Sequence, residues 1–229
     1  MHDGLVISAV VFDLFGTLTG SEASRGQQIV ELAEVLGAAP DALRDALRET
    51  YDERARGSLG DVREQLVALS ARAGGSLLPE VIDRALVLRM SGQQAMLAPR
   101  PGAIEVLAAL RERRLAIGVL SDCTDEIPIL WSGSEYAPLV DCAVFSCEMG
   151  MRKPDPRMYQ VVLEGLGTRP ADALYVGDGG SSELTGALAA GLRSVLFRSR
   201  GDAYFRYDEE KDWRGETIEE LGAVLALLY

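Results

Sequence analysis

The run LVISAVVFD, residues 5–13, constrains this chain more than any other segment. It is continuously apolar and rich in β-branched residues, with no alternation of apolar and polar positions. Such a run suits a strand buried on both faces, which needs strands beside it and helical layers above and below. It ends on a carboxylate, Asp13, and the Gly/Thr-rich turn FGTLTGSE follows at once.

From about Ser24 to Met96 the pattern changes. QQIVELAEVLG, PDALRDALRETYDERARG, DVREQLVALSARAGG and LPEVIDRALVLRMSGQQAM carry apolar residues at spacings of three and four, the mark of amphipathic helices. Pro40 and Asp61 stand where helices start, and Gly37 and Gly74 where they stop. No strand signal interrupts this stretch, so it reads as a helical module inserted after the first strand. Pro99 and Pro101 mark the return to the main domain. The helix GAIEVLAALRERR then precedes the strand LAIGVLS, a short helical segment precedes CAVFS, PRMYQVVLEGLG precedes ALYVGD, and SSELTGALAAG precedes RSVLFR. TIEELGAVLALL is expected to close the chain as a helix. This alternation implies right-handed crossovers and a parallel sheet covered on both faces. The expected architecture is α/β, with a Rossmann-like core from residues 1–20 and 97–229 and a helical domain from 21–96.

Ligands of an open parallel sheet sit at the carboxyl ends of its strands. Four polar clusters fall there: Asp13, Ser121 with Asp122, the loop around Lys153, and Asp178. A carboxylate at a strand tip can attack an electrophile, and Gly16 lets the backbone approach closely. Taken alone, Asp13 would more often be a turn residue, and Ser121 and Asp122 are common turn residues too. Lys153 in RKPDP could neutralise both a nucleophile and a transferred group, or could simply be solvated. Asp178 and Glu183 in GDGGSSE suit Mg²⁺, a hard cation taking oxygen ligands, although Glu183 also fits the first turn of the next helix.

Composition narrows the chemistry further. A formal net charge of −12 argues against nucleic-acid and anionic-membrane surfaces. No stretch approaches the roughly 20 apolar residues that span a bilayer, and the first ten residues lack the basic start of a secretory signal. Cys123, Cys142 and Cys147 form no CxxC pair and are expected as reduced thiols. A cytoplasmic protein, monomer or homodimer, is the resulting expectation. The only histidine is His2, near the start of the chain, so a Ser–His or Cys–His relay has no well-placed base.

In order and context, the motifs VVFDLFGTL, IGVLS, KPDP and LYVGDGGSSELTGALAAG resemble those of the haloacid dehalogenase superfamily. The resemblance covers essentially the whole chain, and the helical insertion looks like that family's α-helical cap. It implies that Asp13 is the nucleophile of a covalent aspartyl intermediate and that Ser121, with Thr17 and Asp122, lies on the phosphoryl-binding side. It implies further that Lys153 steadies the charges and that Mg²⁺ is held by Asp13, the backbone carbonyl of Phe15, Asp178 and Glu183. The substrate would be a small phosphorylated molecule. In the cap, YDERARGSLG is expected as a loop facing the site, with Arg54 or Arg56 as candidate anion contacts, although a solvated helix-end arginine is the commoner role for either one.

One position departs from the pattern. Phosphatases of the superfamily usually carry a second Asp two residues after the nucleophile, and here that position is Phe15. A phenyl ring transfers no proton, so a general acid–base contribution of about 10²–10⁴ must come from elsewhere. Three readings follow, in order: a Mg²⁺-dependent phosphohydrolase, a metal-independent dehalogenase-like hydrolase whose halide leaves without a proton, and a binding or regulatory protein on the same scaffold.

Overall fold

The computed structural model describes residues 7–20, 25–199 and 211–228; His2 lies outside them. Strands β1 (Ala9–Phe12), β2 (Ala116–Ser121), β3 (Cys142–Phe145), β4 (Ala173–Gly177), β5 (Arg193–Phe197) and β6 (Glu216–Ile218) form one sheet in the order β3-β2-β1-β4-β5-β6. Every pairing in it is parallel. Strand β1 is buried along its whole length, as its unbroken apolar run requires. One core cluster gathers Val10, Phe12, Ile117 and Val119 with Leu107 and Leu110 of α6 (Ala103–Glu112). Val11 and Leu120 turn to the other face and pack with Tyr159 and Val162 of α8 (Pro156–Leu166). The chain runs outward from β1 to β3, then resumes on the other side at β4, so the order reverses at β1. The crevice at such a reversal is where α/β sheets bind ligands.

Between β1 and α6 the chain forms helices α1 (Arg25–Leu36), α2 (Pro40–Glu49), α3 (Tyr51–Ala55), α4 (Val62–Ala73) and α5 (Pro79–Met96). Their local signals agree with the sequence. Pro40 opens α2, Asp61 caps α4 through a reciprocal capping box with Glu64, and Gly74 ends α4 in the left-handed region. These helices share their own apolar core, including Leu32, Leu36, Leu43, Leu66 and Ile82.

They are also tied to the sheet layer. Arg89 of α5 pairs with Glu126 of α7 (Glu126–Trp131) at 2.6 Å, Gln65 of α4 donates to Asp125, and Asp52 of α3 accepts from Arg152 at 2.9 Å.

Two expectations need correction. TIEELGAVLALL is not a closing helix: Glu216–Ile218 pairs with β5 as β6, and Leu221–Ala226 forms a 3₁₀ segment. The open edge of β5 offers backbone partners that outweigh the helical spacing, and β-branched Thr217 and Ile218 suit a strand. Part of the expected loop YDERARGSLG is helical, as α3, before the chain turns toward α4.

Candidate active site

Asp13 follows β1 directly, and its N–H donates to the Val176 carbonyl at 2.9 Å, which sets it beside the end of β4. The chain then makes a tight turn over Leu14–Leu18, closed by the Thr19 N–H on the Leu14 carbonyl at 3.0 Å. Gly16 is required here twice over. Its φ is +81°, and a Cβ would lie 2.0 Å from Oδ2 of Asp178. Arg100 clamps the turn from below, donating to the Gly16 carbonyl at 2.7 Å and the Thr19 carbonyl at 2.8 Å.

Lys153 bridges the carboxylates. Its Nζ donates to Asp13 Oδ1 at 2.6 Å and to Glu183 Oε2 at 2.5 Å, with side-chain exposure of only 3%. The Tyr175 hydroxyl, on β4, donates to the same Glu183 oxygen at 2.7 Å and accepts from Lys153 Nζ at 3.3 Å. Thr17 Oγ1 donates to Asp13 Oδ2 at 3.1 Å. Asp178 Oδ1 accepts from the Gly180 N–H at 3.1 Å, and Glu183 Oε1 from the Gly179 N–H at 2.9 Å. The turn after β4 is strained, with Ser181 and Ser182 both at positive φ.

Three carboxylates face one ammonium in this cluster, and the electrostatics reflect it. Burial, then the charge of Glu183, push the Asp13 carboxyl up to about 7, against the opposing pull of Lys153. Burial, then Glu183 and Asp13, raise Asp178 well above the usual carboxylate range. Burial works against the Lys153 charge, but Asp13 and Glu183 outweigh it and hold the ammonium well above its ordinary value.

Asp13, Asp178 and Glu183 each offer a carboxylate oxygen, and these lie within 4.8 Å of one another. With all three ionised, the carboxylates outnumber the single Lys153 ammonium, an excess that a divalent cation would offset. An all-oxygen donor set under such charge fits Mg²⁺. Ser121 Oγ, at the end of β2, is buried and makes no hydrogen bond, a vacancy that an anionic oxygen could fill. Asp122 is occupied: it accepts from the Lys153 N–H at 3.0 Å and from Arg152 at 3.4 Å.

The cluster opens into a cavity of about 1040 Å³ between the sheet and the helices of residues 25–96. Asp13, Phe15, Asp122, Lys153, Asp178, Glu183 and Arg54 line it. Thr17 and Ser121 are fully buried and are not among the residues that line it. Arg56 is not brought to it: α3 turns Arg54 inward and leaves Arg56 outside, where its Nε donates to Asp52 at 2.8 Å. Two contributors were not anticipated from sequence, Arg100 and Tyr175. The only available signals were an Arg between two prolines and a hydroxyl inside an otherwise apolar strand.

A family profile for haloacid dehalogenase-like hydrolases matches residues 7–191. The chain belongs to that family. It is 27% identical over 205 residues to a glyceraldehyde 3-phosphate phosphatase of Methanopyrus kandleri, covering 84% of each chain. With the rhythmically expressed gene 2 protein of Drosophila melanogaster it shares 28% identity over 123 residues, 50% of this chain and 47% of that protein, so it spans about half of that relative. Among solved structures it superposes on a 2-haloacid dehalogenase from Pseudomonas syringae pv. tomato DC3000 with a TM-score of 0.68 at 24% identity, covering 97% of this chain and 98% of that one. The fold of this haloacid dehalogenase-like hydrolase is thus the family's parallel-sheet fold. No helix among its described residues is long and apolar enough to cross a membrane.

Proposed function

We propose that this protein is a cytoplasmic, Mg²⁺-dependent phosphohydrolase acting on a small phosphorylated metabolite, with residues 21–96 as a cap over the site. The observation that carries the reading is the convergence of Asp13, Lys153, Asp178 and Glu183 at the floor of one cavity. A metal-independent displacement has no use for so much negative charge, whereas an oxygen-binding cation does. The sequence relative named as a phosphatase supports the same choice.

In this reading a carboxylate oxygen of Asp13 attacks phosphorus, and the ester oxygen leaves with the bond electrons. Lys153, already on Asp13 Oδ1, holds the nucleophile in place and offsets charge on the transferred group. The unpartnered Ser121 hydroxyl would donate to a phosphoryl oxygen. Asp13, Asp178, Glu183 and the Phe15 carbonyl would hold Mg²⁺, which when bound neutralises charge on the phosphoryl oxygens. Water then cleaves the aspartyl phosphate, restoring Asp13 and releasing phosphate. Arg152 and Asp122 fix the Lys153 loop against the floor of the cavity.

Phe15 lines the cavity where a proton donor would otherwise stand. Acyl and aryl phosphates, whose leaving groups depart as anions, are therefore the best substrates. The same residue favours a second reading, a dehalogenase-like displacement of halide that needs no proton. The two separate in one experiment: hydrolysis of p-nitrophenyl phosphate, acetyl phosphate, sugar phosphates and 2-chloropropionate, with Mg²⁺ or chelator, by wild type and Asp13→Asn. Metal-dependent phosphate release lost in Asp13→Asn is the expected result. Chloride release indifferent to chelator would replace the phosphohydrolase reading with the dehalogenase one.

A further inference from the structure

We propose that the substrate carries a second anionic group, remote from the reacting phosphoryl, and that Arg54 on α3 receives it. This rests on the cavity being the substrate site and says which phosphorylated compounds fit it. Arginines of the helical side face the cavity, yet most are already neutralised. Arg89 is held by Glu126 at 2.6 Å, and Arg48 by Asp45 at 3.1 Å. Arg44 pairs with Asp41, and Arg152, on the sheet side, pairs with Asp52 at 2.9 Å.

Arg54 differs from these. It is 4% exposed and lines the cavity, but its hydrogen bonds go to neutral oxygens, Thr50 Oγ1 at 3.1 Å and the Leu47 carbonyl at 2.8 Å. Among the described residues no carboxylate pairs with it. Glu126, whose charge reaches it, is already taken by Arg89 and Thr124. Its surroundings oppose the charge: burial, then the neighbouring Arg89, pull its pKa down to about 10.

A guanidinium buried without a counter-ion is costly, and a bound anion removes that cost. An oxyanion is the fitting partner, because the planar fork of Arg matches carboxylate or phosphate oxygens. The net charge of −12 strengthens the case: the molecule as a whole repels anions, so selectivity for a doubly anionic ligand needs a local cation. The cavity, at about 1040 Å³, has room for a ligand much longer than a single phosphate. The other role open to Arg54 is structural, closing the end of α2 through the Leu47 carbonyl, and that role confers no ligand preference.

The test is calorimetric titration of the full-length Asp13→Asn protein, with Mg²⁺ present, using two matched pairs. One pair is 3-carboxypropyl phosphate and its methyl ester; the other is butane-1,4-diyl bisphosphate and butyl phosphate. The expected result is binding of the anionic member about tenfold tighter or better in at least one pair, falling to within about twofold when Arg54→Gln is added. The pair that carries the preference tells carboxylate from phosphate. Equal binding within both pairs, no binding by either, or a preference that survives Arg54→Gln would overturn the proposal. If Arg54→Gln does not fold, Arg54→Lys serves: it keeps the charge but loses the fork, so the preference must fall by about threefold or more, and an undiminished preference refutes the assignment. Turnover by wild type is read separately. A charge preference without phosphate release would sink the phosphohydrolase reading alone, and release at equal kcat/KM within both pairs would sink the Arg54 assignment alone.

Discussion

Tyr175→Phe removes one oxygen from beneath the site and little else. The ring sits edge-on to Tyr159 at 5.7 Å between centroids, and Phe keeps that contact. What is lost is the hydroxyl that donates to Glu183 at 2.7 Å and accepts from Lys153 at 3.3 Å. Both partners are charged and buried, and hydrogen bonds to charged groups are worth about 1.5–3 kcal/mol. Glu183 keeps Lys153 and the Gly179 N–H, so the desolvation left uncompensated is partial and the net loss is about 2 kcal/mol. For a chain of this length each kcal/mol moves Tm by about 2–4 °C, which gives a drop of about 4–8 °C. Differential scanning fluorimetry in EDTA reads this without metal binding masking it. Lys153 should also hold Asp13 less firmly, so kcat on p-nitrophenyl phosphate falls about tenfold, equivalent to about 1.4 kcal/mol, while KM stays nearly constant. A Tm unchanged within about 1 °C together with an unchanged kcat would refute the view that this hydroxyl organises the charge cluster.

Phe15→Asp supplies a proton donor facing the cavity and should raise hydrolysis of alkyl phosphates by about 10²-fold or more while changing acetyl phosphate far less; equal effects on both would show that protonation of the leaving group is not what limits the wild type. Glu126 is buried, which pushes its pKa up, but Arg89 and Thr124 outweigh this and hold it below its ordinary value of 4.5. Its pairing therefore stabilises the fold above that value and is lost as pH falls through the lower folded pKa, so Glu126→Gln should cost about 2 kcal/mol at pH 7 by urea denaturation and progressively less below pH 4.5; a cost independent of pH would contradict the ionic account. Millimolar Mg²⁺ should raise the Tm of the wild type, by up to about 2.7 kcal/mol of stabilisation at a hundredfold excess over Kd, and Asp178→Asn should abolish the shift. An identical shift in Asp178→Asn would place the cation elsewhere.

Much of this architecture can be read from the chain because local and global preferences agree. The unbroken apolar run before Asp13 needs neighbours on both sides, and β1 lies inside the sheet with β2 and β4 beside it. Pro40, Asp61 and Gly74 sit at helix ends because each fixes its own backbone or satisfies an end group without distant help. Where distant partners decide, the sequence misleads. The spacing in TIEELGAVLALL fits a helix, but the open edge of β5 captures Glu216–Ile218. The same limit governs the site. Asp13 and Asp178 are legible because each directly follows a strand, and Lys153 because it lies in the loop beyond the end of β3; parallel strands deliver their carboxyl ends to one side. Tyr175 and Arg100 act through contacts with residues 8 and 84 positions away, which no local pattern encodes. Arg54 and Arg56 make the point most sharply. They are two positions apart, Arg54 within α3 and Arg56 just past its last residue, hence on nearly opposite sides of that turn. Nothing local says which is turned toward the cavity. Tertiary packing decides it, leaving Arg54 inside against the end of α2 with neutral partners and Arg56 outside with Asp52. The charge that selects a ligand is thus set by how α3 packs, and so specificity in this fold can change through repacking of α3 while the residues that end the strands stay as they are.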